Sequence, residues 1–167
     1  MNEPPVDTLA AALARHGLEL TPEQQSLLER YCQLLWDWNT RLNLTRHTDY
    51  EKFVSRDVVD SWQLAQLLAP RESMLDFGSG GGVPGIIVAI LRPDVKLEMC
   101  DSVGKKAKAL EAIVAGSAME RGDFLGGVYE ARVRRNPDRH QVQMFRQGNA
   151  WGVPLKITKG VTLETSS

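Results

Sequence analysis

A glycine-rich segment between an apolar strand and an apolar helix constrains the fold of this chain more than any other feature. Residues 76–85 read Asp-Phe-Gly-Ser-Gly-Gly-Gly-Val-Pro-Gly and follow the short apolar run at 73–77. Glycine is needed where φ is positive and where a ligand lies against the backbone. The start of the following helix offers unpaired N–H groups and a positive dipole end, which suit a carboxylate or a phosphate. The segment therefore predicts a strand, a ligand-binding loop and a helix.

The elements around this loop predict an α/β fold. A helix is expected over 85–91, a strand over 95–100 and a helix over 105–115, and this order favours a parallel sheet. Three helices are expected before it. One ends at Gly17, one starts at Pro22 with Thr21 and Gln24 as a capping box, and one runs over 49–68. We predict an N-terminal helical cap over residues 1–70 and an α/β region over 71–167.

The apolar pattern fades after residue 116. Strands are expected at 128–133 and 153–157, while residues 134–150 show no apolar period. The sheet is therefore expected to be incomplete or divergent in this part. Divergence, truncation and an error of reading frame all stay open as explanations.

The glycine spacing fits two ligands, a dinucleotide and S-adenosylmethionine (SAM). Counted from Gly80, the dinucleotide pattern G-x-G-x-x-G is completed at Gly85. Asp76 favours SAM, because a carboxylate two residues before the first glycine suits the cationic amino group of SAM and opposes a pyrophosphate. Asp101 ends the second strand, where an acid accepts hydrogen bonds from ribose hydroxyls. A cap on the helix that follows Asp101 is the alternative, and the two roles are compatible.

The composition is that of an ordinary folded protein, with 43% apolar and 25% charged residues and a net charge of −1. The charge is uneven: residues 1–103 hold 9 Lys/Arg against 15 Asp/Glu, and residues 104–167 hold 11 against 6. A basic C-terminal third fits contact with phosphates, and a solvated surface fits equally well. No signal peptide or membrane span is expected, and Cys32 and Cys100 are interpreted as packed thiols of a cytoplasmic protein.

Several segments together resemble one family, the bacterial 16S ribosomal RNA guanine-N7 methyltransferases, also called glucose-inhibited division protein B. The Gly-rich loop is shared by many methyltransferases, whereas the first and last of the matching segments are much more specific to this family. The segments cover roughly residues 20–115. They are Trp38-Asn39 with Leu42-Asn43-Leu44-Thr45, Arg56 with Asp60-Ser61, residues 76–85, Arg92-Pro93, and residues 101–106.

The resemblance implies a class I SAM-methyltransferase fold with an N-terminal helical cap. It implies SAM as methyl donor and N7 of a guanine in 16S rRNA, free or in the small ribosomal subunit, as acceptor. We expect a monomer without a metal ion or a membrane partner. The implied cofactor residues are Asp76, Gly78, Gly80, Gly82, Val83, Asp101 and Val133.

The acceptor chemistry needs little from the protein. Guanine N7 carries a lone pair and no proton, so alignment of the reactants is the main requirement and no catalytic acid or base is named. Candidates for positioning the substrate are Asn43, Arg56 and Asp60, for which loop hydrogen bonding and surface pairing are alternatives. Lys105 and Lys106 are candidates for RNA phosphates, and a solvated helix face is the alternative.

Two positions depart from the family pattern. Arg56 is followed by Asp57 where the family commonly has His, and Arg134 stands where an acid near the adenine is expected. A truncated, non-catalytic paralogue that binds SAM or RNA is therefore a second hypothesis. An NAD-dependent oxidoreductase is a third, which Asp76 disfavours.

Overall fold

The computed structural model describes residues 7–117 in full and, beyond them, the backbone of the strands at 128–135, 140–146, 156–157 and 161–165. The expected α/β fold is present, with helices before the sheet. The helices are α1 (Leu9–Arg15), α2 (Pro22–Asn39), α3 (Tyr50–Lys52), a π-helical segment (Phe53–Val58), α4 (Val59–Leu67), α5 (Gly85–Leu91) and α6 (Gly104–Gly116).

The first two helices begin where their capping residues predict. Thr8 accepts a hydrogen bond from the Ala11 N–H at the start of α1. At the start of α2, the Thr21 hydroxyl accepts from Gln24 N and the Gln24 side chain accepts from Thr21 N, which is a complete capping box. Gly17, predicted to end α1, has a φ of 65°.

The helix predicted over 49–68 is present but not uniform, because the π-helical segment separates α3 from α4. A π turn takes up an extra residue and so rotates the following residues around the helix axis. The buried face therefore continues from Val58 in the π-helical segment to Ser61 and Ala65 in α4. The helical spacing of the apolar residues over 49–68 predicts that Trp62 packs in the core with Val58 and Ala65. Trp62 is 38% exposed, so that prediction is wrong.

The sheet contains six strands within the described residues, in the order β1-β2-β3-β4-β6-β5. Strands β1, β2 and β3 are parallel, as predicted, whereas β4 is antiparallel to β3. The strands predicted at 73–77, 95–100 and 128–133 are present, the second one shifted by one residue, while β4 and β6 were not predicted. The bounds are β1 (Ser73–Phe77), β2 (Lys96–Asp101), β3 (Val128–Arg135), β4 (His140–Arg146), β5 (Lys156–Ile157) and β6 (Val161–Thr165). Residues 153–155 of the last predicted strand lie outside the described residues.

One hydrophobic core joins the N-terminal helices to the α/β region. Residues of α1 and α2, such as Leu13 and Leu35, belong to the same buried cluster as Ile87 of α5, Leu97 of β2 and Leu110 of α6. The helical cap is therefore packed directly behind the elements that hold the Gly-rich loop.

Candidate functional site

The Gly-rich loop extends from the carboxyl end of β1 to the first turn of α5. Its first two N–H groups, of Gly78 and Ser79, donate to the Cys100 carbonyl of β2 at 2.8 and 3.0 Å. The φ angles of Gly78, Gly80 and Gly82 are 80°, 56° and 96°, a region that a side chain makes unfavourable. The alternating glycines are thus required by the backbone path of the loop, as the sequence predicts.

Asp76 lies at the start of the loop and is almost fully buried, with 8% of its surface exposed. Its carboxylate accepts a hydrogen bond from the Gly85 N–H of α5 at 3.0 Å. A Cβ added to Gly85 would lie 2.6 Å from that carboxylate oxygen, so only glycine allows this approach. Asp76 therefore fixes the far end of the loop to β1.

Asp101 lies at the carboxyl end of β2, beside the same loop. One carboxylate oxygen accepts from the Gly80 N–H at 2.9 Å, and the other accepts from the Val103 N–H at 2.8 Å. The helix-cap interpretation of Asp101 is therefore wrong, since the N-cap residue of α6 is Val103 and no side chain caps this helix. The bond from the Val103 N–H closes a turn just before the helix. The bond to Gly80 is an additional role that the sequence did not indicate, and it holds the centre of the loop.

The two carboxylates make this edge of the sheet electronegative. Burial raises the pKa of Asp76 above its ordinary value of 3.8, and the charge of Asp101 raises it further, while the Gly85 N–H bond opposes the rise. A ligand that brings a cationic group and hydroxyl donors relieves this repulsion, whereas a diphosphate increases it. The pair of carboxylate acceptors therefore fits SAM and disfavours a dinucleotide.

The helical cap contacts the loop at Gly81, a residue that is not among the predicted cofactor residues. The Tyr31 hydroxyl of α2 donates to the Gly81 carbonyl at 2.9 Å, and both groups are buried. A Cβ on Gly81 would lie 2.9 Å from Cδ1 of Leu35 and 3.0 Å from the carbonyl oxygen of Leu44. The signal available in the sequence was a tyrosine within an apolar helix stripe, because a buried hydroxyl needs a partner.

Residues 42–45, called the Asn43 segment below, are held next to Gly81 by Asn39, the last residue of α2. The Asn39 side-chain oxygen accepts from the N–H groups of Leu44 and Thr45 at 2.8 and 3.0 Å. Asn43 itself is exposed. The structure thus places this candidate substrate residue on a segment that touches the Gly-rich loop.

Arg56 and Asp60 are both exposed, Arg56 on the π-helical segment and Asp60 on α4. Between them, Asp57 is mostly buried, and burial raises its pKa. The Nδ1 atom of His47 lies 2.9 Å from a carboxylate oxygen of Asp57. Asp57, which stands where the family commonly has His, therefore pairs with a histidine from the loop that follows Thr45.

Lys105 and Lys106 lie in the first turn of α6, with Lys105 exposed and Lys106 half-buried. Val133 lies in β3, opposite Val142 of β4, and its side chain is outside the described residues. In the part of the chain described in full, no cluster of three or more His, Cys, Asp or Glu side chains is arranged to hold a metal ion. None of the described helices has the length and apolarity needed to cross a membrane.

A parallel β1-β2-β3 sheet, a Gly-rich loop after β1 and an acid at the end of β2 are the arrangement of a class I SAM-methyltransferase fold. The model of the family described as rRNA small subunit methyltransferase G matches residues 24–143. The chain belongs to this family, and the resemblance drawn from the motifs is confirmed.

Curated relatives carry the same name, ribosomal RNA small subunit methyltransferase G. The protein from Rhodopirellula baltica is 52% identical over 103 residues, which are 62% of this chain and 45% of that protein. The one from Chromobacterium violaceum is 46% identical over 106 residues, 64% of this chain and 51% of that protein. The one from Moorella thermoacetica is 38% identical over 124 residues, 72% of this chain and 52% of that protein. The chain spans about half the length of these relatives.

Proposed function

We propose that this chain transfers the methyl group of SAM to N7 of a guanine in 16S rRNA. The observation that carries the proposal is the pair of carboxylates, Asp76 and Asp101, that end adjacent parallel strands and both bond to the Gly-rich loop. Membership of the family supplies the reaction class and the kind of acceptor.

The cofactor is held by residues of the loop and of the two strand ends. Asp76 accepts from the amino group of the methionine part, and Asp101 accepts from the ribose hydroxyls with the lone pairs that Gly80 and Val103 leave. The backbone of Gly78, Gly80, Gly82 and Val83 lies against the cofactor, and Val133 lies near the adenine. Bound SAM supplies an electrophilic methyl group on a sulfonium.

The acceptor is positioned rather than activated. Because N7 of guanine has no proton to lose, the chain needs only to orient the base and to keep it close to the methyl group. Asn43, Arg56 and Asp60 are exposed and serve this orientation, while Lys105 and Lys106 meet RNA phosphates. The substrate is cytoplasmic 16S rRNA, free or within the small ribosomal subunit.

The test is methyl transfer to RNA by the purified chain. Small ribosomal subunits and deproteinised 16S rRNA are each incubated with SAM that carries a radioactive methyl group, and the RNA is digested to nucleosides. We expect label in N7-methylguanosine. A folded chain that binds SAM but labels neither substrate would instead support the non-catalytic paralogue.

Two aspartate variants distinguish the loss of a contact in the proposed site from the general effect of removing a negative charge. Asp101→Ala loses the ribose acceptor and the bond to Gly80, so we expect the rate at limiting SAM to fall at least about tenfold. Asp37→Ala removes an exposed carboxylate that pairs with Arg41, and its rate is expected to equal that of the wild type. Equal loss in both variants would argue against the assigned site.

A further inference from the structure

Two segments that carry candidate substrate residues are joined by a pair of side chains. Asn43 lies in the Asn43 segment, and Arg56 lies in the π-helical segment. Nδ1 of His47, two residues after the first segment, lies 2.9 and 3.0 Å from the two carboxylate oxygens of Asp57 in the second. Because an ionised carboxylate only accepts, Nδ1 carries the hydrogen of this bond. The pair therefore ties the chain together close to both candidates.

The backbone of His47 is fixed as well as its side chain. Its N–H donates to the Thr45 hydroxyl at 3.0 Å, and its carbonyl accepts from the indole N–H of Trp36 at 2.8 Å. Trp36 of α2 packs against Phe53 of the π-helical segment, with ring centroids 6.5 Å apart. The bond to Asp57 therefore holds a defined stretch of backbone and not merely a surface side chain.

The carboxylate of the pair is mostly shielded from water. The Asp57 side chain is 12% exposed, and the imidazole of His47 is 33% exposed. Burial raises the pKa of Asp57 and the nearby charge of Asp60 adds to the rise, while the bond to His47 opposes it. From α2, Tyr31 and Cys32 lie close enough to sense Asp57, and burial raises the pKa of both, so they stay neutral. A bond to a shielded charge is worth more than a surface ion pair.

We propose that His47 and Asp57 are positioning residues for the acceptor RNA. Their bond fixes the Asn43 segment relative to the π-helical segment, so that Asn43 and Arg56 are presented as one surface. This inference rests on the proposed function, because that function assigns both exposed residues to the orientation of the base. A surface that is already ordered loses less conformational freedom on binding, and so binds RNA more tightly.

Loss of the bond loosens the His47 end of the loop and leaves the other end in place. Asn39 still holds Leu44 and Thr45 by two hydrogen bonds. The Asn43 segment therefore stays next to Gly81, in contact with the Gly-rich loop. The apparent affinity for RNA falls by the fraction of time that the two segments spend out of register, whereas the affinity for SAM is unchanged.

The test is methyl transfer by His47→Gln to whichever RNA substrate the wild type labels, with KM and kcat for the RNA measured separately and SAM affinity by calorimetry. We expect the KM for RNA to rise about tenfold, the effect of one hydrogen bond to a charged group. The affinity for SAM and the kcat at saturating RNA are expected to stay within about twofold, since saturating RNA selects the ordered arrangement.

His16→Gln is the matched control. His16 pairs with Glu51 at 2.7 Å, and the Glu51 side chain is 46% exposed, so this variant removes a histidine–carboxylate pair at the surface of the helical cap. Its KM for RNA is expected to equal that of the wild type.

Two further variants separate the bond from the bulk of the side chains. Asp57→Asn keeps the shape and an acceptor for Nδ1 but loses the charge, so we expect the KM for RNA to rise about threefold. The double variant His47→Asp with Asp57→His exchanges the two groups, and the family commonly has His at position 57. Restoration of the bond should bring its KM to within about threefold of the wild type, well below that of His47→Gln.

The outcomes separate this inference from the proposed function. An unchanged KM in His47→Gln, or equal losses of RNA and SAM affinity, would overturn the positioning role and leave the function standing. If His47→Gln does not fold, Asp57→Asn decides, and a KM equal to that of the wild type would overturn the role. A folded wild type that binds SAM and labels no RNA would overturn the proposed function, and this inference with it.

Discussion

Asp76 and Asp101 are two acids with different surroundings, and the difference follows from their neighbours. Asp101 accepts two backbone N–H bonds, from Gly80 and Val103. Asp76 is buried beside the charge of Asp101, and its pKa is raised. The free protein thus has a poorly compensated carboxylate where the proposed ligand brings a positive charge.

Asp76→Asn is expected to weaken SAM binding while stabilising the free protein. The amide oxygen still accepts from Gly85, but the charge that attracts the amino group is gone, which costs about tenfold or more in affinity. Because the folded pKa of Asp76 lies above 3.8, the folded wild type retains a proton that the unfolded chain has lost. Wild-type stability therefore falls as pH rises through that window, and Asp76→Asn escapes the loss.

Denaturant unfolding at several pH values measures this difference. The unfolding free energy of Asp76→Asn minus that of the wild type should increase from about pH 4 upward. A difference that shrinks as pH rises would mean that the folded state favours the ionised carboxylate.

The sequence predicted that Asp76 and Asp101 are residues of the site, but it predicted only part of their contacts. Their place at strand ends follows from local patterns, so Asp76, Asp101 and the glycines were found. The roles of Tyr31 and Asn39 could not be found in the same way, because each depends on contact between α2 and a segment distant from it in the chain. The pairing of His47 with Asp57 likewise needed the folded loop.

At the scale of elements, α2 serves as the support of the Asn43 segment. Asn39 ends the helix and accepts two backbone N–H bonds from the segment that follows. Asparagine is a common residue at helix ends, but the sequence does not indicate the pair of acceptor bonds.

Asn39→Ala and Asn39→Asp test this support as a matched pair. The alanine variant loses both bonds and should be less stable by about 2 kcal/mol, whereas aspartate keeps the acceptor and should lose far less. Denaturant unfolding gives the stabilities, and methyl transfer at saturating SAM reports the Asn43 segment. Equal behaviour of the two variants would show that the side-chain oxygen of Asn39 is not what holds the segment.

Two of the strands after residue 117, β4 and β6, were not predicted from the apolar pattern of the sequence. Val142 and Met144 alternate with glutamines in β4, which is a half-buried strand pattern, but the high polar content obscured it. The π-helical segment was missed because a helix with one extra residue per turn keeps the composition of an ordinary helix.

At the scale of the whole molecule, Arg92 joins the helical cap to the α/β region. Its guanidinium donates to the carbonyls of Ala65, Leu68 and Ala69 at the end of α4, at 2.7 to 3.2 Å. Asp94 accepts two hydrogen bonds from the same guanidinium, and these bonds, with one from the Arg71 N–H, lower the pKa of Asp94. The family motif Arg92-Pro93 thus has a structural role here.

Arg92→Lys is expected to lower the melting temperature by a few degrees, because an ammonium cannot reproduce the planar fork that reaches three carbonyls and a carboxylate. Arg41→Lys is the control, since Arg41 pairs on the surface with Asp37. The control should melt like the wild type in differential scanning calorimetry. A loss of the same size in both variants would assign the effect to arginine content and not to the junction.

Calorimetric titration of the purified chain with SAM, with NAD as the control ligand, tests whether the Gly-rich loop with Asp76 and Asp101 binds SAM. We expect micromolar binding of SAM and no measurable binding of NAD, because two carboxylates face the ligand. A folded chain that ignores SAM, or that binds NAD as well as SAM, would contradict it.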